Sequence, residues 1–288
     1  MSLQKQIIRS ITQISFFVLF CVAPLFNLFR FDLDQGHFYL LGFHWSIGIG
    51  EALSSGQLAV NLLVYGLLPV VSLLIFGFYL FYRFGRIYCG WLCPHFSLVE
   101  TFNRLMLKAS GKMSIWLKKS LSESQLNQLE IKKNRLWWFV LVPLVLLMGF
   151  TWALVLLTYI INPQEVYSQV WNFQLTFAKQ VFLIAASFIL SLEFLLARHL
   201  FCRFGCAFGL FQSLAWMANR RGLRIWFDKS RSNQCKDCDN DCDHACPMQL
   251  KPRSLKRHMF SCTQCNLCVT ACEKSKLLVA TSSVGDQA

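Results

Sequence analysis

Four long apolar stretches constrain this chain more than any other feature of its sequence. They cover roughly Ile11–Phe29, Leu58–Tyr82, Leu136–Ile161 and Ala178–Ala197. A helix needs about 20 mostly apolar residues to cross the hydrocarbon core of a bilayer, and each stretch is long enough. Hydrophobic residues make up 55% of the chain and charged residues only 15%, which excludes a disordered chain, a coiled coil and a nucleic-acid-binding domain. The sequence therefore predicts a membrane protein.

The distribution of Lys and Arg predicts the orientation of these stretches. Basic residues concentrate in the loops that stay inside the cell. Lys5 and Arg9 precede the first stretch, ten basic residues lie in the connection 83–135, and the region after Arg198 is basic again. Only Arg30 and Lys179 of the 28 basic residues would fall on the outer side. We therefore expect both termini to be cytoplasmic.

Eight of the 13 cysteines form two runs in the C-terminal part of the chain. The second run, Cys262-x2-Cys265-x2-Cys268-x3-Cys272, has the spacing of bacterial two-cluster ferredoxins, in which the fourth cysteine ligates the other cluster. The first run has one extra residue in its middle. With crossed ligation, one [4Fe–4S] cluster would be held by Cys235, Cys238, Cys242 and Cys272, and the other by Cys262, Cys265, Cys268 and Cys246. Structural zinc also accepts four thiolates, but zinc sites usually pair two knuckles across a longer spacer.

Two further cysteine pairs share the spacing C-x3-C. Cys89 and Cys93 follow the second apolar stretch, and Cys202 and Cys206 follow the fourth. On a helix, residues i and i+4 share a face, so each pair could present both sulfurs together. If the two stretches are neighbours, four thiols converge on one metal site that suits Cu(I), an iron–sulfur centre or a dithiol/disulfide couple. The alternative is that they are small buried side chains, which is also the simplest interpretation of Cys21.

These pairs belong to an internal repeat. Two helices, a cysteine pair and an amphipathic stretch (Phe96–Leu107, then Phe208–Met217) occur twice in the same orientation. The expected fold is an all-α polytopic membrane protein of two parallel two-helix repeats, with a small C-terminal α+β ferredoxin-like domain. The predicted parts are transmembrane helices 1 and 2 with an outer loop (1–82), a basic loop with the first pair (83–135), helices 3 and 4 with the second pair (136–222), the two-cluster domain (223–276) and a flexible tail (277–288).

One acidic residue lies inside the fourth apolar stretch. An ionisable side chain there costs about 2.5–3.5 kcal/mol on insertion scales unless it is paired or wet. Glu193 is therefore a candidate catalytic residue, as the proton acceptor for a quinol. The alternative is that Glu193 reaches towards the cytoplasmic interface beside Arg198. His95 and His199, which flank the pairs, are interpreted as hydrogen-bonded or solvated side chains rather than ligands.

With its two cysteine pairs and two cysteine runs, the chain resembles the polytopic ferredoxin-type membrane proteins that include NapH, NosR and CcoG. The resemblance covers roughly residues 7–276 and rests on Cys89-Gly-Trp-Leu-Cys93-Pro94, the matching second pair and the two runs. The layout is closest to the NapH quinol dehydrogenase subunit, whereas Phe31-Asp32-Leu33 and Phe38 to Gly42 resemble CcoG. Ala207 departs from the family pattern, which has proline after the second pair.

The resemblance implies a function in electron transfer at a bacterial inner membrane. The leading interpretation is a NapH-like protein that oxidises quinol from the quinone pool and passes electrons through two [4Fe–4S] clusters to a redox partner protein. The alternative is a CcoG-like reductase or assembly factor for a respiratory metalloenzyme, with copper at Cys89, Cys93, Cys202 and Cys206. A third interpretation is a structural anchor, which predicts that variants of the cluster ligands keep full function. No nucleic acid partner is expected.

Overall fold

The computed structural model is mostly helical, with a few small sheets. Four helices are long and apolar enough to cross a membrane: Gln4–Val22, Gly56–Phe84, Arg135–Thr158 and Phe177–Ala197. This confirms the prediction of four long apolar helices. The structure describes residues 2–33, 36–45, 55–116, 120–121, 126, 131–219, 221–228, 230, 232–235, 241–253, 259–272 and 277–281.

The described part of the chain contains three π-helical segments, at Leu62–Leu67, Glu193–Ala197 and Phe201–Gly205. It also contains two 3-10 turns, at Arg135–Trp137 and Ser232–Cys235. The helices are α1 (Ser2–Val22), α2 (Ser55–Asn61), α3 (Leu68–Phe84), α4 (Ile87–Trp91), α5 (Pro94–Ser110), α6 (Trp138–Thr158), α7 (Pro163–Trp171), α8 (Phe177–Leu192), α9 (Ala207–Met217), α10 (Asp241–His244) and α11 (Leu267–Ala271). The strands are β1 (Phe29–Asp32), β2 (His37–Leu40), β3 (Phe43–Trp45), β4 (Arg224–Phe227) and β5 (Leu278–Thr281).

The first long helix lies further towards the N-terminus than its predicted position. The sequence predicts a span over Ile11–Phe29, whereas α1 ends at Val22. Pro24 follows shortly after the helix and has no N–H with which to continue its hydrogen bonds. The helix also begins earlier and includes Arg9, which was expected to precede the span. Arg9 is buried at 2% exposure and hydrogen-bonded to other residues, which hydropathy alone could not predict.

The predicted outer loop contains a sheet that the sequence analysis did not predict. Strands β1, β2 and β3 form an antiparallel meander, with Phe29 opposite Leu40 and Leu40 opposite Phe43. Leu41 and Gly42 connect β2 to β3 and both have positive φ, of 52° and 83°, as a two-residue hairpin turn requires. The alternating aromatic and polar residues of Phe29–Asp32 are the signal that could have predicted a strand here.

The C-terminal cysteine runs lie between two paired strands. Strand β4 pairs with β5 in antiparallel register, from Arg224 opposite Thr281 to Phe227 opposite Leu278. The short helices α10 and α11 lie between them in the sequence. This α+β segment extends to Thr281, so part of the predicted flexible tail 277–288 is a strand.

The chain divides into two compact units, each built from segments that are distant in the sequence. The first unit comprises Met1–Phe17, Leu80–Val145 and Leu192–Ala288, and the second comprises Val18–Tyr79 and Leu146–Ser191. Both C-x3-C pairs, Glu193 and the described tail cysteines belong to the first unit. The second unit contains the three-stranded sheet and both basic residues predicted to lie outside, each paired with an acid: Arg30 with Asp32 at 2.9 Å and Lys179 with Glu165 at 2.6 Å.

Candidate functional site

Four cysteines of the tail line one small pocket in the first unit. They are Cys246, Cys262, Cys265 and Cys268, the set that the ferredoxin spacing assigns to one cluster. Most of the other lining side chains are apolar: Ile225, Met248, Leu250, Pro252 and Met259. The structure therefore brings these four residues together in a site shielded from water, which is a suitable environment for an iron–sulfur cluster.

Burial of these thiols keeps them protonated when no metal is bound. The pKa of Cys246 and of Cys262 is raised to about 12, chiefly by loss of solvation, and the neighbouring thiols of Cys265 and Cys246 contribute to the rise at Cys262. A thiol must lose its proton to bind a metal, so loading of this pocket releases protons. Bound iron would supply the positive charge that stabilises thiolates at this buried site.

The second tail set is partly described. One predicted member, Cys238, lies outside the described residues. Cys272 packs against the same apolar cluster that contains Cys242, Cys262 and Cys268. The pKa of Arg253 is raised mainly by its hydrogen bond to Asp243, with which it forms an ion pair at 2.8 Å, and to a smaller extent by Cys242 and Cys235. The three described members, Cys235, Cys242 and Cys272, therefore lie in one neighbourhood next to the first pocket.

The first C-x3-C motif contacts the tail loop directly. A Cβ atom at Gly90 would collide with the carbonyl oxygen of Thr263, so only glycine permits this approach. Trp91 Nε1 donates a hydrogen bond to the carbonyl of Gln264 at 3.1 Å. Thr263 and Gln264 lie between Cys262 and Cys265 in the sequence. Gly90 and Trp91 of the motif therefore contact the backbone of the loop between Cys262 and Cys265.

Helix α1 binds the same region through polar side chains. Arg9 Nε donates to the carbonyl of Gly90 at 2.7 Å, and Arg9 Nη2 donates to Glu100 Oε2 at 2.5 Å. Gln6 Nε2 donates to the carbonyl of Cys265 at 3.2 Å. Burial raises the pKa of Cys265. The positive charge of Arg9 lowers this pKa, and the negative charge of Glu100 raises it. The sequence analysis missed this pair because nothing in the sequence distinguishes Arg9 from a basic residue that flanks a membrane span.

The two C-x3-C pairs have equivalent local structures, although neither lies on a continuous helix. Cys89 lies in α4 and Cys202 in the π-helical segment Phe201–Gly205. The second cysteine of each pair has left the helix, with ψ of 116° at Cys93 and 103° at Cys206, and caps the following helix. The expected i to i+4 helical face is therefore wrong. Ala207 occupies the first position of α9 as Pro94 does in α5, so its departure from the family pattern changes little here.

Three of these thiols lie close enough to Cys206 to respond to it. Burial is the largest cause of the raised pKa of Cys89, Cys93 and Cys202, and the thiol of Cys206 raises the pKa of all three as well. Cys93 and Cys202 also pack against one apolar cluster that contains Cys246, a residue of the tail pocket. The structure therefore brings together the four cysteines that the repeat predicted to converge.

Arg86 lies beside these thiols with only 1% of its surface exposed. Its Nη2 donates to the carbonyl of Cys202 at 2.6 Å, whereas Nε and Nη1 have no hydrogen-bond partner among the described residues. A Cβ at Gly209 would collide with this guanidinium, so the glycine leaves room for it. The positive charge lowers the pKa of Cys89, Cys93 and Cys262 against the larger effect of burial.

Glu193 forms a hydrogen-bonded chain with a histidine and a thiol. Its Oε2 lies 2.8 Å from His95 Nε2, and His95 Nδ1 lies 3.7 Å from Cys202 Sγ. Oε1 of Glu193 is buried and has no hydrogen-bond partner among the described residues. Arg198, beside which Glu193 was expected to reach the interface, is itself buried at 1% exposure. Its guanidinium donates to Asn103 Oδ1 and to the carbonyl of Met113, and its backbone N–H donates to the carbonyl of Glu193 at 2.8 Å. His199 is also buried, and its pKa is lowered to about 4 by loss of solvation and by Arg198 and Arg203, so it is uncharged at neutral pH.

Within the described ranges, no group of three or more His, Cys, Asp or Glu side chains is placed so that it could hold a metal ion. A mononuclear zinc site needs sulfurs about 2.3 Å from one point, whereas the four thiolates of a cubane cluster bind different corners.

Comparison with known proteins supports the iron–sulfur interpretation. The model of a family described as a 4Fe-4S binding domain matches residues 65–114 and 179–225. Each matched segment contains one C-x3-C pair, and the tail cysteines lie outside both segments. The uncharacterized protein MJ0750 of Methanocaldococcus jannaschii is 26% identical over 273 residues, which is 94% of each chain.

A second uncharacterized protein of the same organism, MJ0749, is 25% identical over 272 residues, or 94% of this chain and 86% of the relative. No solved structure matches this chain. Two segments match the model of a 4Fe-4S binding domain, which supports iron–sulfur electron transfer, and four helices are long and apolar enough to cross a membrane.

Proposed function

We propose that this protein oxidises a membrane quinol and passes the electrons through iron–sulfur clusters in its first unit to a redox partner protein. This is the role that the NapH-like layout of the sequence implies. The proposal includes an orientation in which both termini and the cysteine sets lie on the cytoplasmic side, in agreement with the basic connection 83–135.

The observation that carries the proposal is the unpaired carboxylate oxygen of Glu193. Glu193 begins a π-helical segment at the end of a helix that is fit to cross a membrane. π-Helical turns are frequent at functional sites. One carboxylate oxygen is fixed by His95 and the other is buried without a partner among the described residues, which is the arrangement expected of a group that accepts a hydrogen bond from a ligand hydroxyl.

Quinol oxidation requires both electron and proton acceptors, because each quinol yields one quinone, two electrons and two protons. Glu193 Oε1 accepts a proton from a quinol hydroxyl, and the hydrogen bond from His95 to Oε2 fixes the carboxylate in position for this step. A [4Fe–4S] cluster, when bound, supplies a one-electron carrier. His95 connects the carboxylate to Cys202, so the proton acceptor and the thiol group are adjacent.

The contacts between Gly90 and Thr263 and between Trp91 and Gln264 support a short route from this site to the tail pocket. Cys93 and Cys202 pack on the same apolar cluster as Cys246.

The test is the rate at which a reduced quinol analogue reduces the clusters of the anaerobically purified protein. The variant Glu193→Gln keeps the size of the side chain but cannot accept a proton. We expect at least a tenfold slower reduction, because general base catalysis typically contributes about 100-fold or more. Iron content should not change. The matched control is Glu165→Gln, which removes a carboxylate of the second unit and should keep the normal rate.

A normal rate in Glu193→Gln would contradict the proposed role of this residue. Clusters that ignore quinol in the unmodified protein would contradict quinol oxidation itself. Stoichiometric copper, bound or reduced by the same preparation and lost when Cys89 and Cys206 are changed to Ser, would favour the CcoG-like metal reductase or assembly factor instead.

A further inference from the structure

The three-stranded sheet of the second unit separates apolar from polar side chains by face. Successive side chains of a strand point to opposite faces of the sheet, and the register shows which positions of neighbouring strands lie side by side. Six apolar side chains share one face: Phe29, Phe31, Phe38, Leu40, Phe43 and Trp45. The opposite face carries Arg30, Asp32, His37, Tyr39 and His44.

The polar face is the one that is turned towards the protein. Arg30 is 3% exposed, forms an ion pair with Asp32 at 2.9 Å and lies 4.5 Å from the centre of the Tyr39 ring. On the apolar face, Phe29 is 56% exposed and Phe43 is 77% exposed. An antiparallel sheet of a water-soluble domain has the reverse arrangement, with its apolar face on the core and its polar face in water. This sheet is therefore suited to apolar surroundings.

Backbone hydrogen bonds hold the sheet at the end of a helix that is fit to cross a membrane. The N–H of Phe31 donates to the carbonyl of Tyr159, and the N–H of Leu33 donates to the carbonyl of Ile160, both at 2.9 Å. These two carbonyls directly follow the third long helix, Arg135–Thr158. A helix that crosses a bilayer ends near its surface, so the sheet lies at that surface.

Trp45 indicates how deep the sheet reaches. Its Nε1 donates to the carbonyl of Tyr65 at 3.0 Å, and the two rings make an edge contact with their centroids 6.4 Å apart. Tyr65 belongs to the long helix Gly56–Phe84. Counted back from Phe84, the about 20 residues that cross the hydrocarbon core end at Tyr65. Trp45 and Tyr65 therefore lie at the boundary between headgroups and acyl chains, where Trp and Tyr are enriched.

A lipid bilayer fits the apolar face better than another protein does. Apolar patches that bind proteins have a polar rim. Through Trp45 this face adjoins the helix Gly56–Phe84, whose most apolar window contains no buried residue, so one apolar surface runs from the sheet onto a spanning helix. Leu41 at the tip of the hairpin extends it, with 69% of its surface exposed.

The free edge of the sheet limits the depth. In the described part of the chain β3 is the last strand of the order β1-β2-β3, so its outer edge has no strand beside it. The hydrocarbon core does not accept an open sheet edge, because its N–H and C=O groups would lose their hydrogen bonds to water. The backbone therefore lies at headgroup level, and only the side chains of the apolar face reach the acyl chains.

We infer that the face formed by Phe29, Phe31, Phe38, Leu40, Phe43 and Trp45 inserts into the headgroup side of the acyl-chain layer and anchors the sheet to the bilayer, in addition to the four long helices. This lipid contact does not depend on quinol as the substrate.

The test is photolabelling of the full-length protein in phosphatidylcholine vesicles that contain a phosphatidylcholine with a diazirine on one acyl chain. Mass spectrometry of peptic peptides then locates the label. A diazirine close to the headgroup should label the segment Phe38–Phe43 at least threefold more than one at the end of the chain. Both probes should label the spanning helix α3 (Leu68–Phe84), and neither should label the tail segment 259–272.

Two neighbouring variants test the assignment of the faces. Phe43→Asp places a carboxylate on the apolar face, and we expect at least threefold less label on its segment because acyl chains exclude the charge. The matched control is His44→Asp, which changes the next residue on the polar face and should keep the label. Phe43 is mostly exposed, so its replacement removes few contacts within the protein. Unchanged label on α3 would verify that both variants are folded and inserted.

Label confined to the long helices of the unmodified protein would overturn the inference. If the same sheet segment were instead cross-linked to a second copy of the chain, the face would be a dimer contact and not a lipid contact. Equal labelling of Phe43→Asp and His44→Asp would also contradict the assignment, since only one of them changes the apolar face.

Discussion

At the scale of single residues, the sequence predicts which tail cysteines lie together but not which side chains surround the cysteines. The spacing of the second tail run is specific enough to assign Cys246 to the same set as Cys262, Cys265 and Cys268, and these four line one pocket. Arg86 is one of 28 basic residues, and nothing in the sequence indicates that it is buried next to thiols. Its position beside the thiols follows from the approach of Gly209 and Cys202, which only the fold brings about.

Gly90 allows a test of the contact between the first C-x3-C motif and the tail. In Gly90→Ala the new methyl group would collide with the backbone of Thr263, which cannot swing away as a side chain can. We expect a loss of stability of about 1–3 kcal/mol, as is typical of overpacking, together with a lower iron content. The measurements are thermal unfolding in detergent and iron per chain.

The control for this variant is Gly56→Ala, since a Cβ at Gly56 in α2 would meet no atom within 4 Å. Its stability should be unchanged or slightly higher because alanine favours helix formation over glycine. If Gly90→Ala were as stable and as rich in iron as Gly56→Ala, the close approach to the tail loop would be wrong.

At the scale of whole elements, apolar length predicts membrane helices but not their polar ends. Both ends of three of the four predicted stretches lie within three residues of the ends of the observed spans. The first stretch differs because α1 begins with the polar residues around Arg9. The helical-face prediction for the cysteine pairs failed for a local reason. Cys93 and Cys206 turn out of the helix to cap α5 and α9, which brings both pairs together without a continuous helix.

The ion pair between Arg9 and Glu100 provides a test of how α1 supports the tail. Arg9→Leu leaves Glu100 buried without its cation, and breaking a buried pair in this way costs roughly 3–5 kcal/mol. We expect iron to be lost at a lower denaturant concentration, because Arg9 also holds the carbonyl of Gly90. The double variant Arg9→Leu, Glu100→Leu should recover part of this loss.

Arg30→Leu is the matched control for this prediction, since Arg30 forms an equally buried pair with Asp32 in the second unit. It should lower overall stability without a selective loss of iron. The same selective loss in both variants, or none in Arg9→Leu, would show that α1 does not support the cluster site.

At the scale of the whole molecule, the buried thiols predict a pH dependence for the iron-free protein. Burial raises the pKa of Cys89, Cys246 and Cys262 to about 12, from an ordinary value of 9.0. An acid with a raised pKa in the folded state favours its neutral form, so its contribution to stability is complete below pH 9 and is lost as the pH rises towards 12. Unfolding of the iron-free protein in detergent should therefore become easier over this range.

The iron-loaded protein should lack this dependence, because its thiols are already deprotonated by the metal. Comparison of the two forms in the same buffers removes the contribution of Lys and Tyr groups, which titrate in both. An equal pH dependence of the iron-free and iron-loaded forms would contradict the assignment of these buried thiols as metal ligands.

The most direct test of the central claim is to add a reduced quinol analogue to the anaerobically purified, full-length protein and to follow the clusters by EPR. The account predicts iron and sulfide in the amounts expected for [4Fe–4S] clusters and signals that quinol reduces without any other electron donor. Iron-containing protein whose clusters remain oxidised in excess quinol, but are reduced by dithionite, would contradict the claim that this chain oxidises quinol.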